Sequence, residues 1–327
     1  MLRLLSRSLT PSFPRSSFLA REMSSAPAFK PFNLALIQLG QVGTDKDENL
    51  RHAREMISRA VTGGSDAHPR PDLVVLPECF NSLYGHLHFP VYAETIGFTP
   101  DKPYDIASSE SQTVKMLSAA AKEEGVWLLG GSIPERDAGT GKLYNTATVY
   151  SPQGELVATH RKVHLFDIDI PGKIKFKESE TLSAGNTLNY FDTEFARIGL
   201  GICYDVRFPE LAMTAARQGC QVLIYPSAFN TTTGPLHWEL LQRARAVDNQ
   251  VFFSMCSPAR DLKQSYHAWG HSMVVDPMGT VIAEAGDEEA IVFAQIDPKV
   301  LQDARAGIPV TTQRRFDVYP DVSKRVL

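Results

Sequence analysis

Three side chains far apart in the chain share one local setting. Glu78 follows Pro77 directly behind the apolar run "DLVVL", Lys162 closes "ELVATHRK", and Cys203 closes "RIGLGI". Each run reads as a strand, and ligands of α/β folds gather outside the carboxyl ends of strands. A carboxylate, an ammonium and a thiol in one crevice suit acyl transfer. A free thiol, with a pKa near about 8.5, is mostly protonated at neutral pH. A neighbouring ammonium favours the thiolate, as does the amino-terminal end of the helix read as starting near Tyr204. Glu78 would take the thiol proton as general base and later pass it to a leaving amine. Lys162 and the Tyr204 backbone N–H would face the oxygen of the attacked carbonyl as an oxyanion hole. This thioester route needs no histidine, metal or cofactor. Singly, each residue also has an ordinary reading: a surface carboxylate, half of a salt bridge, a core thiol. Their joint placement at strand ends favours catalysis.

The remaining candidates carry less chemistry. Cys79 adjoins Glu78, but its spacing puts it on the opposite face of the chain, and Cys220 and Cys256 lie in or beside apolar runs as core residues. His160 and His164, four apart, and His86 and His88, two apart, lack a matching third ligand, so structural roles and no metal are expected. There is no Walker loop and no GxGxxG dinucleotide fingerprint. Arg207, four residues past Cys203, has two readings: a bidentate anchor for a substrate carboxylate, or a scaffold partner of Asp205 or another acid.

The elements that must position these groups alternate between strand and helix. "FNLALIQL" reads as a buried strand. The helix after it has Thr44 and Asp45 as candidate caps, an apolar face of Leu50, Ala53, Ile57 and Ala60, and a stop at Gly63. "SQTVKMLSAAAKEEG" is a second helix ended by Gly125, and "VWLLGGS" is a third strand. A hairpin, "LYNTATVYSPQGELVATHRK", turns at Pro152 to Gly154. A long Gly/Pro-containing section, 163–189, separates it from the cysteine strand. Beyond Cys203 come the helix "FPELAMTAARQG", the strand "CQVLIYP", the helix "PLHWELLQRARAVDNQ" and the strand "VFFSMCS". A hairpin turning on Asp276 to Gly279 and a last strand, "AIVFAQID", complete the set, and short helix and irregular chain follow from Pro298. Interleaved hairpins imply mixed sheets in a single α/β domain, and no internal repeat is evident.

Composition excludes several classes. The 327 residues are 43% hydrophobic with a net charge of −4, so clustered positive charge for nucleic acid is not expected. No apolar run approaches the roughly 18–20 residues that span a bilayer. Four cysteines without a CxxC pair read as reduced thiols of an intracellular protein. The first 22 residues contain Arg3, Arg7, Arg15 and Arg21, many serines and no acid before Glu22, the composition of a mitochondrial transit peptide. Met23 offers a second start for a cytoplasmic form.

The stretches "LPECFNSLYG", "HRKVHLFDIDIPGKIKFKES" and "GLGICYDVRFPELA" resemble the glutamate, lysine and cysteine signatures of the nitrilase superfamily, and the likeness continues through "YPSAFNTTTGPLHWELLQRARAVDNQVF" and "WGHSMVVDPMG". It covers residues from about 32 to 315, leaving 316–327 as a tail. Within the superfamily the omega-amidase branch is most similar, through "ECFNSLYG" and "FDIDIPGKIKFKES"; Leu83 stands where that branch commonly has proline. The resemblance implies a four-layer αββα sandwich that pairs as a homodimer. It implies Glu78 as base, Lys162 as oxyanion stabiliser and Cys203 as nucleophile. Glu178 is added as a residue behind the lysine, which sequence alone does not separate from Lys175, Lys177 and Glu180. Tyr84, Phe229 and Thr233 match pocket-lining positions. The implied substrates are small oxo-acid amides, 2-oxoglutaramate and 2-oxosuccinamate. Rival expectations are a deaminated-glutathione amidase with the same trio, a Cys–His hydrolase using a residue such as His164, and a non-catalytic protein on the same fold.

Overall fold

Alternating burial along each central strand decides the layering. In β1 (Phe32–Gln38), Leu34 and Leu36 point into one core while Ala35 and Ile37 point into another, as a period of two requires. The computed structural model describes residues 26–63, 69–100 and 102–319, with 321 and 323. The transit-like segment 1–22, Met23 and the end of the tail lie outside the described residues.

The chain continues through α1 (Lys46–Thr62), β2 (Leu73–Val75), the single turn α2 (Phe89–Tyr92), α3 (Gln112–Glu124), β3 (Trp127–Arg136), β4 (Leu143–Tyr150) and β5 (Leu156–Arg161). A separate hairpin follows, β6 (Asp167–Ile170) and β7 (Ile174–Lys177). The second half comprises β8 (Tyr190–Asp192), β9 (Arg197–Leu200), α4 (Pro209–Arg217), β10 (Val222–Pro226), α5 (Gly234–Asn249), β11 (Phe252–Cys256), β12 (Met273–Val275) and β13 (Val281–Glu284). Last come β14 (Ala290–Ile296), α6 (Pro298–Gly307) and α7 (Val310–Gln313).

Two six-stranded sheets result, ordered β14-β1-β2-β3-β4-β5 and β13-β12-β11-β10-β9-β8. Three parallel strands occupy the middle of each, with antiparallel strands outside, so the sheets are mixed as expected. The halves wind alike, β-α-β-α-β followed by a two-strand meander, although their sequences show no repeat. Leu34, Leu36, Leu73 and Val75 meet Ile198, Leu200, Val222 and Ile224 in the core between the sheets. Leu50, Ala53, Ile57 and Ala60 of α1 and Val114 and Leu117 of α3 cover the outer face of the first sheet. With α4 and α5 against the second sheet, the layers run αββα.

Local signals account for most boundaries. Asp45 caps α1 by accepting from the N–H groups of Asp47 and Glu48, and Ser111 caps α3 through the Val114 N–H. Gly125 ends α3 at φ 59°, a left-handed conformation suited to glycine. Asp276 Oδ1 gathers the N–H groups of Met278 and Thr280 in the β12–β13 turn.

Three expectations need correction. Section 163–189 holds the β6–β7 hairpin, which is exposed on alternate residues and has no apolar run to reveal it. The strands end earlier than the apolar runs do: β9 stops at Leu200 and β2 at Val75, each three residues before its reactive side chain. The chain after Cys203 forms a 3-10 turn, Cys203–Arg207, and the α-helix begins only at Pro209. Phe208 is extended (φ −105°, ψ 98°), as the residue before a proline prefers, and it separates the turn from the helix.

Candidate active site

Glu78 stands three residues beyond β2, Lys162 directly after β5, and Cys203 at the first position of the 3-10 turn. The fold brings all three together inside the molecule. Lys162 Nζ lies 2.9 Å from Glu78 Oε1 and 3.0 Å from Glu178 Oε1, with all three side chains fully buried. The Cys203 thiol belongs to the same buried cluster, close enough that the charges of Glu78 and Lys162 both act on it. Cys203 itself has φ 45°, a left-handed conformation that non-glycine residues adopt only under constraint. Glu78 Oε1 also accepts from Asn145 Nδ2 at 2.8 Å, whereas its Oε2 has no partner among the described residues. Glu178 Oε2 is fixed by the Phe166 N–H at 2.8 Å, and Oε1 accepts from the Tyr84 hydroxyl at 2.9 Å. Glu178, at the head of a short 3-10 turn, thus sits against the lysine.

A lysine ammonium has three N–H groups. Two are spent on Glu78 and Glu178, and the third is left for an acceptor in the site. A thiol, a base beside it, and a cation with a free donor together can open a carbonyl compound by addition and elimination.

The model of the carbon-nitrogen hydrolase family matches residues 33–306. This chain belongs to that family. It is 53% identical to the omega-amidase NIT2 of Mus musculus over 90% of this chain and 99% of the mouse protein. It is 52% identical to the omega-amidase NIT3 of Saccharomyces cerevisiae, covering 89% of this chain and 95% of the yeast protein. The crystal structure of Saccharomyces cerevisiae Nit3, described as a member of branch 10 of the nitrilase superfamily, superposes with a TM-score of 0.78 at 48% identity, over 88% of this chain and all of the other.

The electrostatics of this carbon-nitrogen hydrolase differ from the sequence expectation in one respect. Burial raises the Cys203 thiol well above its ordinary range, and the Glu78 charge raises it further. Lys162 and the Ala228 backbone N–H oppose that shift without overcoming it. Lys162 helps little because it is shared by two carboxylates, which leaves the cluster with one negative charge in excess. A helix dipole adds little too, since the turn at Cys203 is five residues long. The resting sulfur is a protonated thiol. Burial likewise raises Glu78, with Glu178 adding to the effect and Lys162 opposing it. For Lys162 burial acts against the charge, but Glu178 and Glu78 hold it well above its ordinary value, so it stays an ammonium.

The other predicted residues divide. Tyr84 joins the cluster, 3.5 Å from Glu78 Oε1, and its ring lies 4.3 Å from that of Tyr266. Arg207 faces Cys203 and Tyr266, with its guanidinium 4.9 Å over Phe229 and 5.5 Å from the Tyr204 ring. No carboxylate pairs with it among the described residues. Its Nη1 instead sits 3.1 Å from His237 Nδ1, and its buried Nε has no partner. Asp205 is not its partner, because that carboxylate is occupied by His160 and His164. Thr233 ties its own loop, with its N–H and hydroxyl both directed to Asn230 Oδ1. Cys79 packs with Phe89, Leu143 and Leu182, while Cys220 and Cys256 are core residues.

Two residues of the site gave little warning in the sequence. Asn145 lies mid-strand, where asparagine is depleted, and that was its one signal. Tyr266 gave none; its hydroxyl donates to the Ala228 carbonyl. A cavity of about 570 Å³, counting solvent at its mouth, is lined by Glu78, Cys79, Tyr84, Gln264 and Tyr266 among others. Glu78 is part of its wall and Cys203 is not, and both are almost wholly buried.

Proposed function

We propose that this hydrolase is an omega-amidase that converts 2-oxoglutaramate, and 2-oxosuccinamate likewise, to the oxo-diacid and ammonia. The convergence of Glu78, Lys162 and Cys203 carries the reaction class, and the names of its relatives favour the substrate.

Because the thiol is protonated at rest, attack and proton transfer are linked. Cys203 Sγ bonds to the amide carbon as its proton passes to Glu78. The oxyanion accepts from the third Lys162 N–H and the Tyr204 N–H. Glu78 then protonates the nitrogen, the carbon–nitrogen bond breaks, and ammonia leaves a thioester. Water gives a proton to Glu78 and adds to the thioester. The second oxyanion collapses, expelling Cys203 as thiolate, and Glu78 reprotonates it. Lys162 keeps its proton throughout, which suits electrostatic stabilisation rather than proton relay.

Arg207, a half-buried cation with no acid partner among the described residues, serves in this reading as anchor for the remote carboxylate of the substrate, with Phe229 and Tyr204 as its apolar bed. Leu236, Leu240 and Val247 are exposed along one side of α5 and support the pairing of two copies, which sedimentation would register. A mitochondrial address for residues 1–22 is tested by imaging a fusion of that segment.

The substrate test is a side-by-side assay of ammonia release. Turnover of 2-oxoglutaramate well above that of deaminated glutathione supports the reading. The reverse order would transfer the protein to the deaminated-glutathione amidases and leave the chemistry standing.

A further inference from the structure

The acid two residues past the nucleophile takes no part in these steps, yet it is thoroughly engaged. Asp205 is fully buried, and four donors converge on it. Its Oδ1 accepts from the His164 N–H at 2.9 Å and lies 2.8 Å from His164 Nδ1. Its Oδ2 accepts from the Ile202 N–H at 2.9 Å and lies 3.4 Å from His160 Nε2.

These donors belong to two pieces of chain from different sheets. Ile202 precedes the nucleophile on the exit from β9, while His160, within β5, and His164, just beyond it, flank Lys162. The nucleophile needs a hold of this kind, because a left-handed cysteine persists only where its surroundings over-determine it. The His164 ring also stacks on Phe208, the residue after the 3-10 turn, at 3.6 Å between centroids and 9° between planes.

We propose that Asp205 is a positioning residue: its carboxylate clasps the nucleophile turn to the strand end that carries Lys162, and so sets the Cys203–Lys162 separation across the two sheets. The two oxygens divide this task, one serving His164 and the other serving Ile202 and His160. Asparagine has a single acceptor oxygen. Whichever way its amide turned, an N–H would face an N–H, and one arm of the clasp would open.

The test uses the full chain with Asp205→Asn, His164→Leu and His164→Asn. Asparagine at 164 keeps a side-chain N–H near the place of Nδ1, and leucine does not; both lose the stack on Phe208. Asparagine also cannot relay a proton, so retained turnover separates positioning from acid–base catalysis. Crystal structures give the separation of Cys203 Sγ from Lys162 Nζ, and kcat is normalised to folded protein. Asp205→Asn and His164→Leu should displace the sulfur by more than about 0.5 Å, the tolerance catalytic groups require. Their kcat for 2-oxoglutaramate should fall by about 10²-fold, with His164→Asn within roughly threefold of the original. If Asp205→Asn does not fold, the two His164 variants decide. An unmoved sulfur in the folded Asp205→Asn or His164→Leu protein, or His164→Asn falling as far as His164→Leu, overturns the proposal. The separation is read without substrate, so an unaltered protein that ignores 2-oxoglutaramate would defeat the substrate reading alone.

Discussion

Two buried clusters of charge lie close to the nucleophile turn and are built on opposite terms. In one, Asp205 has both oxygens saturated by backbone and imidazole donors, and these hold its carboxyl far below the ordinary range against the opposing effect of burial. In the other, Glu78, Lys162 and Glu178 share one ammonium between two carboxylates, Glu78 Oε2 has no partner among the described residues, and the Glu78 carboxyl is raised. A saturated cluster gains nothing by moving a proton and holds geometry. An unsaturated one has a proton acceptor and a donor still to spend, which is the condition for chemistry.

Glu78→Gln tests the contrast most strongly. Turnover should fall by about 10³-fold or more. The melting temperature should hold or rise, because an incompletely satisfied buried charge is removed. A protein that lost stability in step with activity would place Glu78 in the frame instead. Lys162→Met comes next. Loss of the oxyanion donor should lower kcat by about 10²–10³-fold. Two carboxylates would be left without their cation, at a cost of about 3–5 kcal/mol near neutral pH. Part of that loss should return as pH falls and the carboxylates protonate, which denaturant titration at two pH values would show.

Arg207→Gln should raise KM for the oxo-acid amide about 10- to 100-fold, the loss of one charged hydrogen-bonded contact. Turnover of a neutral amide should stay nearly unchanged. Equal damage to both substrates would make Arg207 a scaffold residue.

The smallest effect is on pH dependence, and it bears on both clusters together. As a base Glu78 must be ionised, so kcat/KM should fall as pH drops through its raised value, above the ordinary 4.5. Asp205 is depressed. Its contribution to stability is complete above the unfolded value near 3.8 and is lost only as pH falls toward the folded one. Between those two points the protein should be folded and inactive. Simultaneous loss of activity and near-ultraviolet circular dichroism would contradict that separation.

The legible parts of this molecule are those with short-range physical signatures. The runs leading to Glu78, Lys162 and Cys203 marked the strands that carry them, although β2 and β9 stop three residues short, and Asp45, Gly125 and Asp276 marked caps and turns. Side chains whose role depends on a distant partner gave no such mark. Glu178 looked like its charged neighbours until the chain folded Lys162 and the Phe166 N–H onto it. Asp205 looked like a possible partner for Arg207 until His160 and His164 occupied it. The sign of the Cys203 shift is hidden in the sequence for the same reason, since it depends first on how deeply the fold buries the sulfur and then on how many carboxylates share one ammonium.

The most direct measurement is rapid-quench mass spectrometry of the full chain mixed with 2-oxoglutaramate, run beside Cys203→Ala. An acyl mass on the Cys203 peptide, with no turnover in Cys203→Ala, is the expected result. An acyl group carried by another residue, or continued hydrolysis without the sulfur, would contradict the account.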